Sequence, residues 1–285
     1  MFLLCSACYC PRSLRSNRPI RSLWRIMPSW GGTWGCYMGY ALMAEADSAR
    51  RRRRYRPPAD VKTVSLHDLL ESIGRPNLEE DQLPFLGAGK GAPVELFYSG
   101  QLNLLKRPAI AIVGARDVSE AGAARARRLS KELADSGVTI VSGLAKGVDV
   151  NAHRAAIASG GATAAVIGTP LSQAYPVEHG ELQEDIAENH LLISPFPDGT
   201  RVFPWNFPKR NRVMAAVSDG SAIIEASDTS GTLHQAAECQ KLGRWLFILR
   251  AVAEDPKLSW PAKFIGKPKV KVISSTQEIL DAITR

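Results

Sequence analysis

Residues 109–114 read AIAIVG, and this short run identifies the architecture of the chain. Five consecutive apolar residues, three of them β-branched, are typical of a strand buried on both faces, as in the centre of a parallel sheet. Gly114 lets the backbone turn after the strand, and Ser119 is a suitable N-cap for a helix predicted over Glu120–Ser136. A buried strand, a glycine turn and a capped helix make up the first half of a β–α–β unit.

The same alternation of strand and helix continues along the sequence. Strands are predicted at Val94–Tyr98, Val138–Ser142, Ala162–Gly168, Leu191–Ser194, Ser221–Ala226, Trp245–Leu249 and Val270–Ile273. Helices are predicted at Val61–Ile73, Asn151–Ala158, Leu182–Glu188, Arg210–Ser218, Thr232–Leu242 and Ser275–Ile283, with a loop at Gly87–Gly91. Such alternation produces a mostly parallel sheet covered by helices on both faces. The sequence therefore predicts an α/β protein with an extended Rossmann-like, doubly wound sheet.

The overall composition is that of an ordinary globular protein. Of 285 residues, 45% are hydrophobic and 22% are charged, and no run approaches the roughly 20 apolar residues that a membrane-spanning helix needs. We therefore expect no membrane partner. The formal net charge of +8 is unevenly distributed, because residues 1–56 hold 11 arginines and 2 acidic residues, which leaves 25 basic and 26 acidic residues elsewhere. A nucleic-acid-binding function must be argued from where the basic residues cluster, and not from the total.

The N-terminal fifth has the features of a separate segment. Arg50–Arg54 and Arg56 form a basic run that predicts a disordered arm over residues 1–57. Four of the five cysteines lie in the first 36 residues, but no Cys or His pair follows at a zinc-finger spacing, so we expect no metal site. An organelle transit peptide and a translation start at Met43 are alternatives for this segment. We expect a short helix-and-strand segment at 58–100 and the Rossmann-like domain at 101–285.

Ligands of open α/β sheets bind beyond the carboxyl ends of the strands, so the strand-to-helix turns are the first candidates for a site. The first turn, residues 114–119, carries Arg116, whose forked guanidinium suits a phosphate. The second turn, residues 142–149, contains small residues that let a phosphate approach the backbone, and a lysine. Its candidate residues are Ser142, Gly143, Lys146 and Gly147.

The third turn, residues 203–212, is the most basic and reads FPWNFPKRNR. It places a cationic cluster at the predicted start of a helix, where the helix dipole disfavours positive charge, and such a local conflict tends to mark a functional site. The cluster consists of Lys209, Arg210, Asn211 and Arg212. Together with Phe203, Trp205 and Phe207 it has the composition of a groove for single-stranded nucleic acid. An exposed basic turn with buried aromatic residues is the alternative.

Three further groups have more than one interpretation. Asp149 and His153 are one helical turn apart and could form a structural hydrogen bond, which is more common than a catalytic pair. Glu225 precedes a Ser/Thr/Gly turn at 227–232 that suits an anion, and it could bind a ribose hydroxyl or pair with a basic neighbour. Cys239 is predicted to be a buried small hydrophobic residue.

Taken in order, these segments resemble the DprA/Smf family of DNA-processing proteins. The matching stretches are IVGARDVSEAG (Ile112–Gly122), SGLAKGVDVNAH (Ser142–His153), YP (Tyr175–Pro176), FPKRNRVMAAVS (Phe207–Ser218), IIEASDTSGTL (Ile223–Leu233) and GR (Gly243–Arg244). The likeness spans about residues 94–250, and SGLAxGxDxxAH followed by FPxRNR is a highly specific combination.

The resemblance implies a dimeric Rossmann-like protein that binds single-stranded DNA and hands it to the recombinase RecA in natural transformation. The family is not known for enzymatic activity, and no cofactor is implied. The implied DNA contacts are Arg116, Lys146, Lys209, Arg210, Asn211 and Arg212, with Ser142, Gly143 and Gly147 shaping the pocket. The expected location is the cytoplasm.

Two other functional classes remain as alternatives. The first is a nucleotide-binding or nucleoside-monophosphate phosphoribohydrolase-like enzyme, because Ser230–Thr232 followed by Glu238 faintly matches the PGGxGTxxE motif of the lysine-decarboxylase-like phosphoribohydrolases. The spacing of the glutamate differs, and the paired glycine is absent. The second is an adaptor with a vestigial pocket, against which the basic cluster argues.

Overall fold

A computed structural model describes residues 54–77 and 94–284 of the chain. Its strands are β1 (Lys62–Ser65), β2 (Glu95–Gly100), β3 (Ala109–Val113), β4 (Thr139–Ser142), β5 (Thr163–Val166), β6 (Leu191–Ser194), β7 (Gly220–Ile223), β8 (Trp245–Leu249) and β9 (Val270–Ile273). They form one nine-stranded sheet in the order β1-β2-β6-β5-β4-β3-β7-β8-β9. The β1–β2 and β2–β6 pairs are antiparallel, and all other neighbours are parallel.

The helices cover both faces of this sheet. Those of the described residues are α1 (Leu66–Ser72), α2 (Glu120–Asp135), α3 (Val148–Ala158), α4 (Gly180–Asn189), α5 (Asn206–Ala216), α6 (Thr232–Lys241), α7 (Arg250–Ala253) and α8 (Gln277–Ile283). Apolar residues of α2, α3 and α8 pack on one face of the central strands, and those of α1, α5 and α6 pack on the other. The predicted α/β, doubly wound and mostly parallel architecture is confirmed. None of these helices is both long and apolar enough to cross a membrane.

The predicted elements and the observed ones agree most closely for the central strands and least at the N-terminal end. The prediction of a single helix over Val61–Ile73 is wrong in its first half, because β1 pairs with β2 there. Ser65 ends the strand and caps α1, since its hydroxyl accepts a hydrogen bond from the amide of Asp68. Both β1 and β2 join the main sheet, so the segment predicted at 58–100 is continuous with the domain predicted at 101–285.

The start of the described chain is attached to helix α4. The Tyr55 hydroxyl donates to the carbonyl of Leu171 at 2.8 Å, and the Arg56 amide donates to Glu184 Oε1 at 2.7 Å. These residues fall inside the arm predicted for 1–57, but they have defined partners. The remainder of that arm, with its four cysteines and Met43, lies outside the described residues, as does the predicted loop at Gly87–Gly91.

The strand order determines where a ligand can bind. Strand β3 has β4 on one side and β7 on the other, so the chain winds in opposite directions from β3 and leaves a crevice beyond the carboxyl ends of β3 and β7. The turn after β3, the start of α5 and the start of α6 all reach this crevice. The candidate site is therefore found at this end of the sheet.

Candidate nucleic-acid interface

Two adjoining cavities occupy the crevice. The switch-point cavity, of about 290 Å³, is lined mainly by Gly114, Asp149, Asn211, Ser230, Gly231 and Gln235. The outer cavity, of about 460 Å³, is lined mainly by Asp117, Gly143, Lys146, Gly168, Tyr175 and Glu178. Arg116, Phe207 and Arg210 line both, so these three side chains form the wall between the cavities. Any ligand in either cavity meets at least one guanidinium.

Arg210 is the most unusual residue of this wall. It is only 5% exposed, and its one hydrogen-bond contact in the described structure is a weak one, from Nη1 to the sulfur of Met214 at 3.9 Å. Its Nε is buried without a partner. Burial lowers the pKa of Arg210, while the charge of Asp149 opposes that shift. Gly143 makes room for the guanidinium, since an added Cβ there would lie 1.4 Å from Nη1 of Arg210.

Asp149 and His153 do not form the predicted hydrogen bond. The carboxylate of Asp149 accepts from the amide of Ala145 at 3.3 Å, and burial raises the pKa of Asp149 against the opposing charge of Arg210. The imidazole Nδ1 of His153 lies 2.7 Å from Thr163 Oγ1 instead, and the ring is fully buried. His153 is therefore a structural residue of α3, and Asp149 is the one of the two that reaches the cavity.

Cations and aromatic rings alternate around the outer cavity. The guanidinium of Arg116 lies 5.4 Å from the centre of the Phe207 ring, and Phe207 is 5.5 Å from Tyr175, which is 49% exposed. Lys146 is exposed at the same cavity. An exposed ring beside fixed cations offers a flat apolar face to a nucleobase and positive charge to its phosphate.

A second aromatic group precedes helix α5. Phe203 and Trp205 stack with ring centres 4.3 Å apart, and the guanidinium of Arg201 lies 5.2 Å from the centre of Phe203. We call these three residues the aromatic shelf. Trp205 is 55% exposed, and Lys209 follows it by one helical turn, with the Lys209 amide bonded to the Trp205 carbonyl. Lys209 therefore lies next to the shelf at the start of α5, and neither Lys209 nor the shelf is among the residues that line the two cavities.

The structure brings five of the nine predicted site residues to the cavities and places four elsewhere. Those at the cavities are Arg116, Gly143, Lys146, Arg210 and Asn211. Ser142 donates its hydroxyl to the Ile112 carbonyl at 2.6 Å inside the sheet. Gly147 has a φ of 84° and no room for a Cβ, which would lie 2.3 Å from the Ala115 carbonyl. Arg212 is buried and holds both oxygens of Glu238 at 2.7 and 3.0 Å.

Other interpretations of single residues are also resolved. Glu225 accepts hydrogen bonds from the amide and hydroxyl of Ser119 at 3.0 and 2.6 Å, so it anchors the start of α2 and forms no ion pair with a basic residue in the described part of the chain. Cys239 is fully buried, as predicted, and burial raises its pKa to about 12. Tyr175 and Gln235 were not among the predicted site residues. The Tyr-Pro pair in the long loop after β5 was the available signal for Tyr175.

The fold and this crevice define a class of protein. A doubly wound α/β sheet defines a Rossmann-like protein, and a switch point lined by guanidiniums, small residues and rings has the chemistry that suits phosphate-bearing ligands. The comparisons with known proteins then specify the family. Residues 79–284 match the family model of DNA recombination-mediator protein A, and the chain belongs to this family.

Relatives and solved structures agree with this assignment. The chain is 39% identical over 189 residues to the DNA processing protein DprA of Streptococcus pneumoniae, which covers 66% of each chain. It is 34% identical over 208 residues to DprA of Bacillus subtilis, covering 72% of this chain and 70% of the relative. A Helicobacter pylori structure, which concerns the single-stranded DNA binding mode of DNA processing protein A, superposes with a TM-score of 0.62 at 25% identity, covering 79% of this chain and 96% of the other. The chain spans about two thirds of the length of the Streptococcus protein.

Proposed function

We propose that the chain is a non-catalytic, single-stranded-DNA-binding recombination mediator. The observation that carries the proposal is the alternation of cation and ring around the outer cavity, where Arg116 covers Phe207 and Tyr175 stands exposed beside it. Unpaired bases stack on exposed rings irrespective of sequence, and each such contact contributes about 1–3 kcal/mol. Paired bases inside a duplex present no free face to such rings, so the arrangement favours the single strand.

Membership of the family supports the same proposal. Its model describes a recombination mediator, and the Helicobacter pylori relative is described as binding single-stranded DNA. On this basis we also propose that the protein acts as a homodimer in the cytoplasm, where it passes the strand to the RecA recombinase during DNA processing and natural transformation.

A binding role is favoured over a catalytic one because three candidate reactive groups are engaged in structural contacts. His153 is bonded to Thr163, Cys239 contacts Ser221, and Glu238, the glutamate of the partial phosphoribohydrolase motif, is held by Arg212. Release of free base from a panel of nucleoside monophosphates would overturn the non-catalytic assignment.

The test is fluorescence anisotropy of the full chain with labelled single- and double-stranded oligonucleotides over a range of salt. We expect a preference for the single strand and an affinity that falls steeply with salt. Arg116→Glu and Lys146→Glu should each weaken binding at least tenfold, because each reverses a charge at the outer cavity. Lys106→Glu is the matched control, since Lys106 is exposed just before β3, at the opposite end of the sheet, and should bind as wild type. Equal losses in all three variants would contradict the assigned groove.

A further inference from the structure

We propose that Tyr55 is a positioning residue of the DNA groove, because it fixes the loop that presents Tyr175 to the outer cavity. The proposal rests on the proposed function, since it takes Tyr175 to be a stacking surface for the strand. Tyr55 lines neither cavity and precedes the residues that match the family model. It therefore acts on the groove through the β5–α4 loop, residues 167–179.

The β5–α4 loop supplies a large part of the wall of the outer cavity. Gly168 and residues 175–178 all line this cavity. The Tyr175 side chain is exposed, and the ring that it contacts, Phe207, has its centre 5.5 Å away. An exposed ring is held little by its own packing, so its direction depends on how firmly the backbone of the loop is held.

The hydroxyl of Tyr55 connects this loop to helix α4. It donates to the Leu171 carbonyl at 2.8 Å and accepts from the side-chain amide of Gln183 at 2.8 Å. The same amide nitrogen of Gln183 also donates to the Gln173 carbonyl at 3.2 Å. Gln183 is buried on α4. The two side chains together therefore hold two carbonyls of the loop, and the second of these is two residues before Tyr175.

The ring of Tyr55 packs where helix α4 begins. A Cβ added at Gly180 would lie 3.5 and 3.6 Å from Cβ and Cδ2 of Tyr55, and 3.7 Å from Cβ of Ala174. Tyr55 and Ala174 thus share the space beside Gly180, and Ala174 immediately precedes Tyr175. Burial raises the pKa of Tyr55 to about 12, so near neutral pH the phenol keeps the proton that it donates to Leu171.

Other hydrogen bonds hold parts of the loop, but they do not replace the one from Tyr55. Thr169 Oγ1 donates to the Gln173 carbonyl at 2.9 Å, and His179 Nδ1 lies 2.8 Å from a carbonyl of the turn after β4. In the described part of the chain the Leu171 carbonyl accepts from Tyr55 alone, and Leu171 is buried. Loss of the hydroxyl would leave this acceptor unpaired, which favours a displacement of the loop toward water.

The test compares Tyr55→Phe with the wild type as full chains, by fluorescence anisotropy with single- and double-stranded oligonucleotides over a range of salt. The variant keeps the packed ring and removes only the hydroxyl. We expect single-strand affinity to fall by about threefold or more, a part of what one stacked base contributes, and the preference over the duplex to fall with it. The salt slope should stay unchanged, because no charge is altered. Tyr98→Phe is the matched control, since Tyr98 is half-buried on β2 and its hydroxyl has no hydrogen-bond partner in the described structure.

A double-mutant cycle determines whether Tyr55 acts through Tyr175. Tyr175→Ala removes the ring from the outer cavity and should weaken single-strand binding by more than Tyr55→Phe does. The double variant should then bind as Tyr175→Ala alone, because without the ring the loop has no stacking surface to position. Losses that add in the double variant, or wild-type affinity and strand preference in Tyr55→Phe, would overturn the role of Tyr55.

Hydrogen exchange measures the order of the loop in the absence of DNA. Amides of residues 170–179 should exchange faster in Tyr55→Phe than in the wild type and in Tyr98→Phe, while amides of β3 exchange equally in all three chains. Equal exchange in the loop would overturn the role of Tyr55 even if strand binding fell. If the wild type binds no strand, the proposed function fails and this role fails with it. If the wild type binds the strand and Tyr55→Phe matches it, only the role of Tyr55 fails.

Discussion

His153 is a neutral, buried histidine whose Nδ1 is hydrogen-bonded and whose Nε2 has no hydrogen-bond partner in the described structure. The hydroxyl of Thr163 donates to the carbonyl of Ile140 at 2.7 Å, so it accepts from Nδ1 of His153, which must carry the ring proton. Acid would therefore protonate Nε2, which is buried without a polar partner. Burial disfavours the charged ring and lowers the pKa of His153 to about 3.

This pKa makes the stability of the fold depend on pH. An unfolded histidine titrates near 6.5, so the stability due to the neutral ring is fully present above pH 6.5 and is lost as the pH falls toward 3. Relative to pH 7.5, the loss at pH 5 is about 2 kcal/mol. Urea unfolding at the two pH values should show this loss in the wild type and a smaller one in His153→Gln, which does not titrate. The same loss in both chains would contradict the assignment.

The sequence predicted which residue types lie at the site, but it did not predict where each side chain points. The turn glycines, Arg116 and the basic cluster were predicted because strand ends and residue chemistry are local properties. Of the basic cluster, Arg210 and Asn211 reach the cavity, whereas Arg212 points to Glu238. That difference depends on the rotation of α5 relative to α6, which is set by packing between residues far apart in sequence.

At the scale of elements, the prediction for α5 was wrong at its start. The helix begins at Asn206 and not at Arg210, because Pro208 occupies the first turn, where proline is tolerated. The cations therefore lie one turn inside the helix, and the expected conflict with the helix dipole is weaker than the sequence indicated. The earlier start also places Phe207, Arg210 and Met214 on one face, which is the face that lines the switch-point cavity.

The strands were predicted better than the helix ends. Leu191–Ser194, Trp245–Leu249 and Val270–Ile273 match the predicted bounds, because short, largely apolar and β-branched runs between turns have few alternatives. Strand β1 was missed since its sequence, KTVS, is half exposed and has no such run. Its strand conformation comes from pairing with β2, a tertiary contact that a local pattern does not contain.

The guanidinium of Arg75 attaches the end of α1 to the central strands of the sheet. Arg75 holds both carboxylate oxygens of Asp219 at 2.9 and 3.1 Å and donates to the carbonyls of Leu105 and Arg107. Asp219 in turn accepts from the amide of Ala109, at the start of β3. The residue thus connects the end of α1 to the starts of β3 and β7.

Arg75→Met keeps the apolar volume but leaves Asp219 and the two carbonyls without their donor. Removing one partner of a buried ion pair costs about 3 kcal/mol or more, and we expect that loss in the free energy of unfolding measured with urea. Arg154→Met is the control, because Arg154 is exposed on α3 and its loss should change stability by less than about 0.5 kcal/mol. Similar values for the two variants would show that the Arg75 network does not anchor α1.

At the scale of the whole molecule, the positive charge and the proposed site are in different parts of the chain. Residues 1–56 hold 11 arginines, whereas the body is close to neutral. Replacing the five arginines Arg50–Arg54 with glutamine should lower the salt slope of strand binding by as much as about 3.5, since each phosphate contact on a single strand contributes about 0.7. The preference for single over double strands should persist, because the proposed function attributes it to the exposed rings and not to the arginines. Fluorescence anisotropy with single- and double-stranded oligonucleotides over a range of salt measures the salt slope and the strand preference. Loss of the preference in this variant would show that it depends on the arginines of the arm.

The strand order of the sheet has a consequence for how the chain reaches its native state. β2 pairs with β6, and in this register Phe97 lies opposite Ser194. The central strand β3 likewise pairs with β7, which is far from it in sequence. β2 must therefore wait for its second partner until β6 is synthesised, and contacts of such high sequence separation slow folding. Until β6 emerges from the ribosome, the apolar side chains of Leu69, Leu70 and Leu96 lack the central strands of the sheet that they pack against in the native state. Exposed apolar surface of this kind makes a nascent chain prone to aggregation.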